Sequence, residues 1–448
     1  MCRKKTCYRI IDYMRIHILG ICGTFMGGLA QILKESGHDI SGSDAQFYPP
    51  MSDHLDNLGI DMIKGYSKDT LPKADLYVIG NALSRGNECI EFILDTKLSY
   101  KSGPQMLGDI LEEKRVFAVS GTHGKTTTSY MLTHIFLDQG IDIGFLVGGI
   151  SDNISGSASL GTDKIFVIEA DEYDSAFFDK RSKFIHYSPS TLIINNIEYD
   201  HADIFDGLKD IKKQFHHLLK IIPTSGNIIY FNDDPNTLDV INMGQWSNLI
   251  KINDDKIQIN YDLREMQVSE ETFSLKNMPL IGEHNFKNYI CAILAAKTAG
   301  VAIEDSMSSL LKFKGVKRRL EFKGLHSDVQ IYDDFAHHPT AIEASSKAIR
   351  KQFPSNKILG VIELASNTMS KGVHGNSLIE SASFFDEVIW LDHKNAIKKN
   401  HDINISNDLA DCIQKVKNII QDYDIVVCMT NKDSQKITKP IIDYLNEK

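Results

Sequence analysis

The run Ser120-Gly121-Thr122-His123-Gly124-Lys125-Thr126-Thr127 carries the densest chemistry in this chain. Glycines let backbone N–H groups curl around phosphate oxygens, and a helix starting here adds partial positive charge. Lys125 would neutralise charge on the β- and γ-phosphates, and the Thr126 hydroxyl would hold Mg2+. The strict phosphate-loop pattern has a further glycine five residues before Gly124, where Val119 stands. A merely tight strand–helix turn would leave Gly-Lys-Thr and the extra threonines unexplained, so ATP binding is the expectation.

Other residues could complete or compete with that site. Glu169 ends the apolar run Ile165–Ile168, where a carboxylate would finish the metal shell. It opens a stretch with four carboxylates in six residues (169–174), most of them expected to be solvated or structural. His201 follows Asn195-Asn196-Ile197-Glu198-Tyr199-Asp200. A neutral imidazole can bind a divalent ion, so His201 is a candidate second-metal ligand, against the ordinary reading of a structural loop histidine. Gly20, Gly23 and Gly27, with Asp44 downstream, resemble a dinucleotide fingerprint, but their spacing is GxxGxxxG and not GxGxxG. That loop suits a nucleotide or a sugar nucleotide as well as NAD, or simply close packing of small residues. Asp333-Asp334-Phe335-Ala336-His337-His338 can be read as a metal cluster or as a strand-end Asp333 bonding a ribose. Adjacent histidines point in different directions, which disfavours one metal taking both. Lys317-Arg318-Arg319 is either a solvated basic run or the source of an arginine that reaches a γ-phosphate after domain closure.

The elements that must position these residues alternate between strand and helix, which predicts a mainly parallel α/β fold. Arg15–Leu19, Asp39–Asp44, Val116–Ser120, Ile165–Ile168, Leu192–Ile194, Val329–Tyr332, Ile358–Ile362, Val388–Leu391 and Ile425–Met429 read as strands. Helices are expected from the first glycine loop to Gly37 and from the phosphate loop to about Leu137. The stretch 226–282 looks less regular, with short β-like runs. A length of 448 residues suggests about three domains. Net charge is −10, from 49 Lys+Arg against 59 Asp+Glu, which argues against a nucleic-acid partner. Seven cysteines without a CxxC pair fit reduced thiols in a cytosol. No stretch reaches the roughly 18 uncharged apolar residues of a membrane helix. The basic start could open a signal peptide, but Asp12 and Arg15 interrupt any apolar region and no small-residue cleavage site follows.

In this order the motifs resemble the Mur ligases, ATP-dependent enzymes that attach amino acids or peptides to UDP-N-acetylmuramic acid. The likeness runs from Arg15 to about Gly375. It is carried by the glycine loop, Gly-Thr-His-Gly-Lys-Thr-Thr, Glu169, Asn196-x-Glu198-x-Asp200-His201, Gly282-Glu283-His284-Asn285, Arg318-Arg319 and Asp333. Phrases at 17–30, 43–55, 102–109, 169–187, 200–205, 214–218, 317–321, 333–342 and 366–369 are similar to the members that join a murein tripeptide to UDP-N-acetylmuramate.

The resemblance implies three domains: a Rossmann-like UDP-sugar domain (1–113, with 1–13 an extension before the usual start, Met14), a central phosphate-loop ATPase-like domain (114–320) and a Rossmann-like acceptor domain (321–448). Gly20, Gly23 and Gly27 with Asp44 and Asn81 would hold the sugar nucleotide. Gly121, Thr122, His123, Gly124, Lys125, Thr126 and Thr127 would hold ATP. His284 and Asn285 would lie near adenine, and Arg319 and Asp333 near phosphate and ribose. Thr126, Glu169 and His201 would bind Mg2+, with Lys125, Glu169, His201 and Arg319 carrying catalysis and Ser366, Asn367 and Thr368 meeting the peptide. The expected partners are UDP-N-acetylmuramate and L-alanyl-γ-D-glutamyl-meso-diaminopimelate, for a cytoplasmic monomer with no nucleic acid and no membrane insertion.

Two places depart from the family pattern. Leu364-Ala365 stand where Pro-Arg usually precedes Ser-Asn-Thr, and Thr430-Asn431-Lys432-Asp433-Ser434 replaces a glycine-rich run. Both fall in the acceptor domain. The alternatives are a ligase adding L-alanine to the same sugar nucleotide, an ATP-binding regulator without ligation, and an NAD-dependent oxidoreductase, which would leave the 121–127 loop without a purpose.

Overall fold

Short apolar runs buried on both faces need helices on each side of a parallel sheet, and the first such sheet forms around β1 (Arg15–Leu19). With β2 (Asp39–Asp44), β3 (Asp61–Lys64), β4 (Leu76–Ile79) and β5 (Tyr100–Ser102) it takes the order β3-β2-β1-β4-β5, all pairs parallel. Strand order reverses between β1 and β4, the crevice where open α/β sheets bind ligands, and the Gly20–Gly23 turn leaves β1 there. The helix Gly103–Leu111 that follows β5 starts with a capping box: Ser102 Oγ accepts from Gln105 N, and Gln105 Oε1 from Ser102 N.

The computed structural model describes residues 13–200, 204–365, 369, 376–397 and 403–447. It resolves into two units, Met1–Ala118 with Asp142–Gly148 and Gly156–Pro189, and Val119–Ile141 with Gly149–Ser155 and Ser190–Lys448. The chain passes from the first to the second along β6 (Arg115–Ser120). In the first unit β7 (Gly144–Leu146) pairs antiparallel with β8 (Ala158–Ser159) and parallel with β9 (Ile165–Glu169). A hairpin of β10 (Asp174–Ala176) and β11 (Asp179–Ser182) follows.

The second unit contains parallel β12 (Thr191–Ile194), β13 (Asn227–Phe231) and β14 (Asn248–Ile252). An antiparallel meander of β15 (Ile257–Asn260), β16 (Glu265–Val268) and β17 (Glu271–Ser274) comes next. The stretch 226–282 is therefore more regular than its sequence suggests, because its strands are only four or five residues long and too short to show a period. The last sheet takes the order β18-β19-β23-β20-β21-β22, from β18 (Glu321–His326), β19 (Val329–Asp334), β20 (Ile358–Glu363), β21 (Glu387–Leu391), β22 (Asn404–Ser406) and β23 (Ile425–Met429). β18 is its antiparallel edge and the remaining pairs are parallel. The α/β class expected from strand–helix alternation is borne out.

Five cysteines are described, Cys22, Cys89, Cys291, Cys412 and Cys428, and all are free and buried. No helix among the described residues is long and apolar enough to cross a membrane.

Candidate active site

β6 ends at Ser120, whose hydroxyl donates to the Ile193 carbonyl (2.9 Å) and whose carbonyl accepts from Asn195 N (3.0 Å). These bonds clamp the start of the phosphate loop to the end of β12. Gly121 has φ +124° and Gly124 φ +81°, a region that L side chains avoid. A Cβ at 121 would lie 2.9 Å from the Asn196 carbonyl, and one at 124 only 2.6 Å from Asn288 Oδ1. Asn196 takes the next donors, its carbonyl from Thr122 N (3.0 Å) and its Oδ1 from His123 N (2.8 Å). The helix Lys125–Asp138 then opens with no side-chain cap and no acidic residue in its first turn, which leaves N–H groups and positive partial charge for a phosphate. Lys125 Nζ folds back onto the Gly121 carbonyl at 2.7 Å. The loop thus offers the cradle a nucleotide phosphate needs, and the residues fit that group.

Beyond β12 the chain turns to Glu198, whose N–H donates to Thr122 Oγ1 of the loop (2.8 Å). Its carboxylate Oε2 lies 3.3 Å from His123 Nε2, accepts from Thr340 Oγ1 (2.6 Å) and stands 3.8 Å from His338 Nδ1. Burial alone would raise the Glu198 pKa, but His123, Thr340 and His338 outweigh it and hold the carboxylate below its ordinary range. The ligand atoms of His123, Glu198 and His338 lie within 4.8 Å of one another, close enough for one cation. Because Thr340 and His123 already bond Glu198, the trio also ties the phosphate loop to the start of the helix Pro339–Gln352. His337 Nδ1 donates to the Phe335 carbonyl (2.8 Å).

Arg319 stacks 5.1 Å above the Phe335 ring. Its turn has positive φ at Arg318 and Leu320 and is held by Asp334, which accepts from Leu320 N and Ala336 N, each at 2.7 Å. Burial depresses the His284 pKa to about 4, and the nearby Arg319 and His123 add to the shift. His337 is lowered to about 4 as well, mainly by burial. Asn285 is buried and accepts from Asn288 Nδ2 (3.2 Å), the same Asn288 that limits Gly124. Asp333 faces elsewhere: its Oδ2 accepts from Ser434 Oγ (2.6 Å) and lies 3.6 Å from Arg318 Nε.

The first unit holds the other expected residues. Gly20 N donates to the Ser43 carbonyl (2.8 Å), and the Asp44 carboxylate accepts from Cys22 N (2.9 Å), so Asp44 braces the glycine turn. Gly27 lies inside the helix Thr24–Glu35, where a Cβ would come 2.2 Å from Met51 Sδ; its absent side chain makes room for packing. Asn81 is exposed just past β4. Glu169 accepts from Gly148 N (2.8 Å) at the end of β9. His201, Ser366, Asn367 and Thr368 lie outside the described residues. Sequence reasoning gave no individual role to Asn195, Asn288 or Thr340, named Asn196 and Glu198 only as motif residues, and offered Asp334 only as part of a metal cluster. The available signal was an Asn-Asn pair directly after a buried strand, and Asn285 with Asn288 three apart on one helix face.

A dinucleotide-type sheet, a phosphate loop and a further, mostly parallel sheet follow one another along the chain as in a nucleotide-dependent enzyme, and family models match in the same order. The Mur ligase family catalytic domain matches residues 15–115, the Mur ligase middle domain 119–296, and the Mur ligase glutamate ligase domain 318–431. The chain belongs to the Mur ligase family, ATP-dependent ligases that form peptide bonds. It is 44% identical to the UDP-N-acetylmuramate–L-alanyl-γ-D-glutamyl-meso-2,6-diaminoheptandioate ligase of Escherichia coli (strain K12), covering 97% of this chain and 99% of that one. A UDP-N-acetylmuramate–L-alanine ligase of Clostridium botulinum (strain Okra / Type B1) is 33% identical over 89% of this chain and 87% of its own. The crystal structure of a murein peptide ligase from Psychrobacter arcticus superposes with a TM-score of 0.74 at 37% identity, covering 97% of this chain and 99% of that one.

Proposed function

We propose that this chain joins L-alanyl-γ-D-glutamyl-meso-diaminopimelate to the lactyl carboxylate of UDP-N-acetylmuramate, cleaving ATP to ADP and phosphate. The observation that carries the reading is the near full-length likeness to a tripeptide ligase, higher than that to an alanine ligase. ATP would sit on the Gly121–Thr127 loop, with Lys125 Nζ leaving the Gly121 carbonyl for phosphate oxygens and Arg319 meeting the transferring phosphoryl group. Thr126, Glu169 and His201 would hold Mg2+, which supplies charge neutralisation on the phosphates. Phosphorylation turns the carboxylate into an acyl phosphate, which the alanyl amine attacks with loss of phosphate. Water must be kept from that intermediate.

We assign the sugar nucleotide to residues 1–113, ATP to 114–320 and the acceptor peptide to 321–448, in a cytoplasmic monomer. The test supplies ATP, Mg2+ and UDP-N-acetylmuramate with either tripeptide or L-alanine, and measures ADP and coupled product. Tripeptide-dependent turnover is expected; L-alanine-dependent turnover would replace this reading with the alanine ligase. ATP binding without turnover on either acceptor would favour a regulator.

A further inference from the structure

Lys183, in the short 3-10 turn after β11, is 9% exposed. Its ammonium stands 5.5 Å from the ring centre of Phe25 and 5.5 Å from that of Tyr173. Its nearest carboxylate oxygen, Asp171 Oδ2, is 3.6 Å away, beyond an ordinary hydrogen bond. No side-chain hydrogen bond from this ammonium is formed among the described residues. Two aromatic faces and the Asp171 ion pair leave the donors of a desolvated ammonium without a hydrogen-bond acceptor, which a further anionic ligand would supply.

Its surroundings point to the anion. Phe25 lies in the first turn of the helix Thr24–Glu35, just past the Gly20–Gly23 turn. Asp171 is two residues from Glu169, the proposed metal ligand at the end of β9. Tyr187, four residues after Lys183, is 1% exposed, and its hydroxyl has no hydrogen-bond partner among the described residues. A phenylalanine would pack as well there, so a buried hydroxyl without an acceptor also indicates a missing ligand.

Resting on the ligase reading above, we infer that Lys183 and Tyr187 bind the lactyl carboxylate of UDP-N-acetylmuramate. The diphosphate has a better place at the uncapped N-terminus of the helix Thr24–Glu35, which has no acidic residue in its first turn. The carboxylate is the group that must approach the end of β9, where the proposed metal ligand Glu169 stands. Lys183 donates to one carboxylate oxygen and Tyr187 supplies a second hydrogen bond.

The test uses the full chain with ATP, Mg2+ and tripeptide, comparing wild type with Lys183→Met, Lys183→Arg and Tyr187→Phe. Lys183→Met keeps the apolar stem and should raise the KM for UDP-N-acetylmuramate about 10- to 100-fold while the KM for ATP stays within about twofold. Lys183→Arg keeps the cation and should recover most of the loss. Tyr187→Phe should hold or raise Tm yet raise the same KM about 3- to 10-fold. Competitive inhibition by UDP-N-acetylglucosamine, which has the diphosphate but no lactyl carboxylate, should be unchanged in all three. Inhibition weakened in parallel with the KM would overturn the inference in favour of a diphosphate contact. An unchanged KM for UDP-N-acetylmuramate with a lowered Tm would overturn it in favour of a structural lysine. Absence of turnover by wild type would instead sink the ligase reading.

Discussion

The loops 121–127 and 430–434 both follow buried strands, β6 and β23, yet they manage their polar groups in opposite ways. In the first, glycines at positive φ shape the backbone while Asn195 and Asn196 bond the loop and Asn288 crowds Gly124. In the second, side chains close on their neighbours. Thr430 Oγ1 donates to Glu363 (2.5 Å) and accepts from Lys432 N (2.9 Å), Arg318 bonds the Thr430 carbonyl (2.5 Å), and Ser434 bonds Asp333. A glycine loop can admit a ligand against its backbone, whereas a loop satisfied by its own side chains fixes a shape. On the proposed reading, the first loop serves the nucleotide and the second helps set which acceptor is taken.

The largest test of that contrast is Lys125→Ala, which should lower kcat about a thousandfold or more with little change in Tm; near-normal turnover would end the assignment of the loop. Thr430→Val removes both hydroxyl bonds and leaves Glu363 short of a donor, which should cost about 1–3 kcal/mol in urea unfolding. It should raise the KM for tripeptide a few-fold while leaving that for ATP alone, and an equal shift in both would erase the distinction between the two ends. The smallest effect is on pH dependence. His284 has a folded pKa of about 4, below its ordinary 6.5, so the unfolded chain takes up a proton first. Stability should therefore fall as pH drops from about 6.5 towards 4, and His284→Gln should flatten that slope in unfolding midpoints. Burial raises Asp333, so its contribution has the opposite sign and is lost as pH rises through its folded value.

Strands such as Ile165–Ile168 and Ile425–Met429 were legible because their apolar runs are continuous. Asp39–Asp44 and Ile425–Met429 match the observed bounds. The Gly-Lys-Thr signal located the loop but not its supports, since Asn288 and Glu198 reach it only across the fold. Asp333 and Asp334 illustrate the limit. Their alternation along β19 sends one carboxylate to Ser434 and the other to the Arg319 turn, and a sequence cannot say which face is which until the sheet is formed.

The buried cysteines have a practical consequence. Burial pushes the thiols of Cys22 and Cys89 up to about 11 and those of Cys291 and Cys412 up to about 12, and Cys428 is raised as well. Alkylation proceeds through the thiolate, so these five are nearly silent towards maleimides at neutral pH. With Cys2 and Cys7 changed to serine, one cysteine introduced at an exposed site such as Phe322 (54% exposed) would take a fluorophore selectively. The chain would then report its own conformational changes during turnover without background labelling.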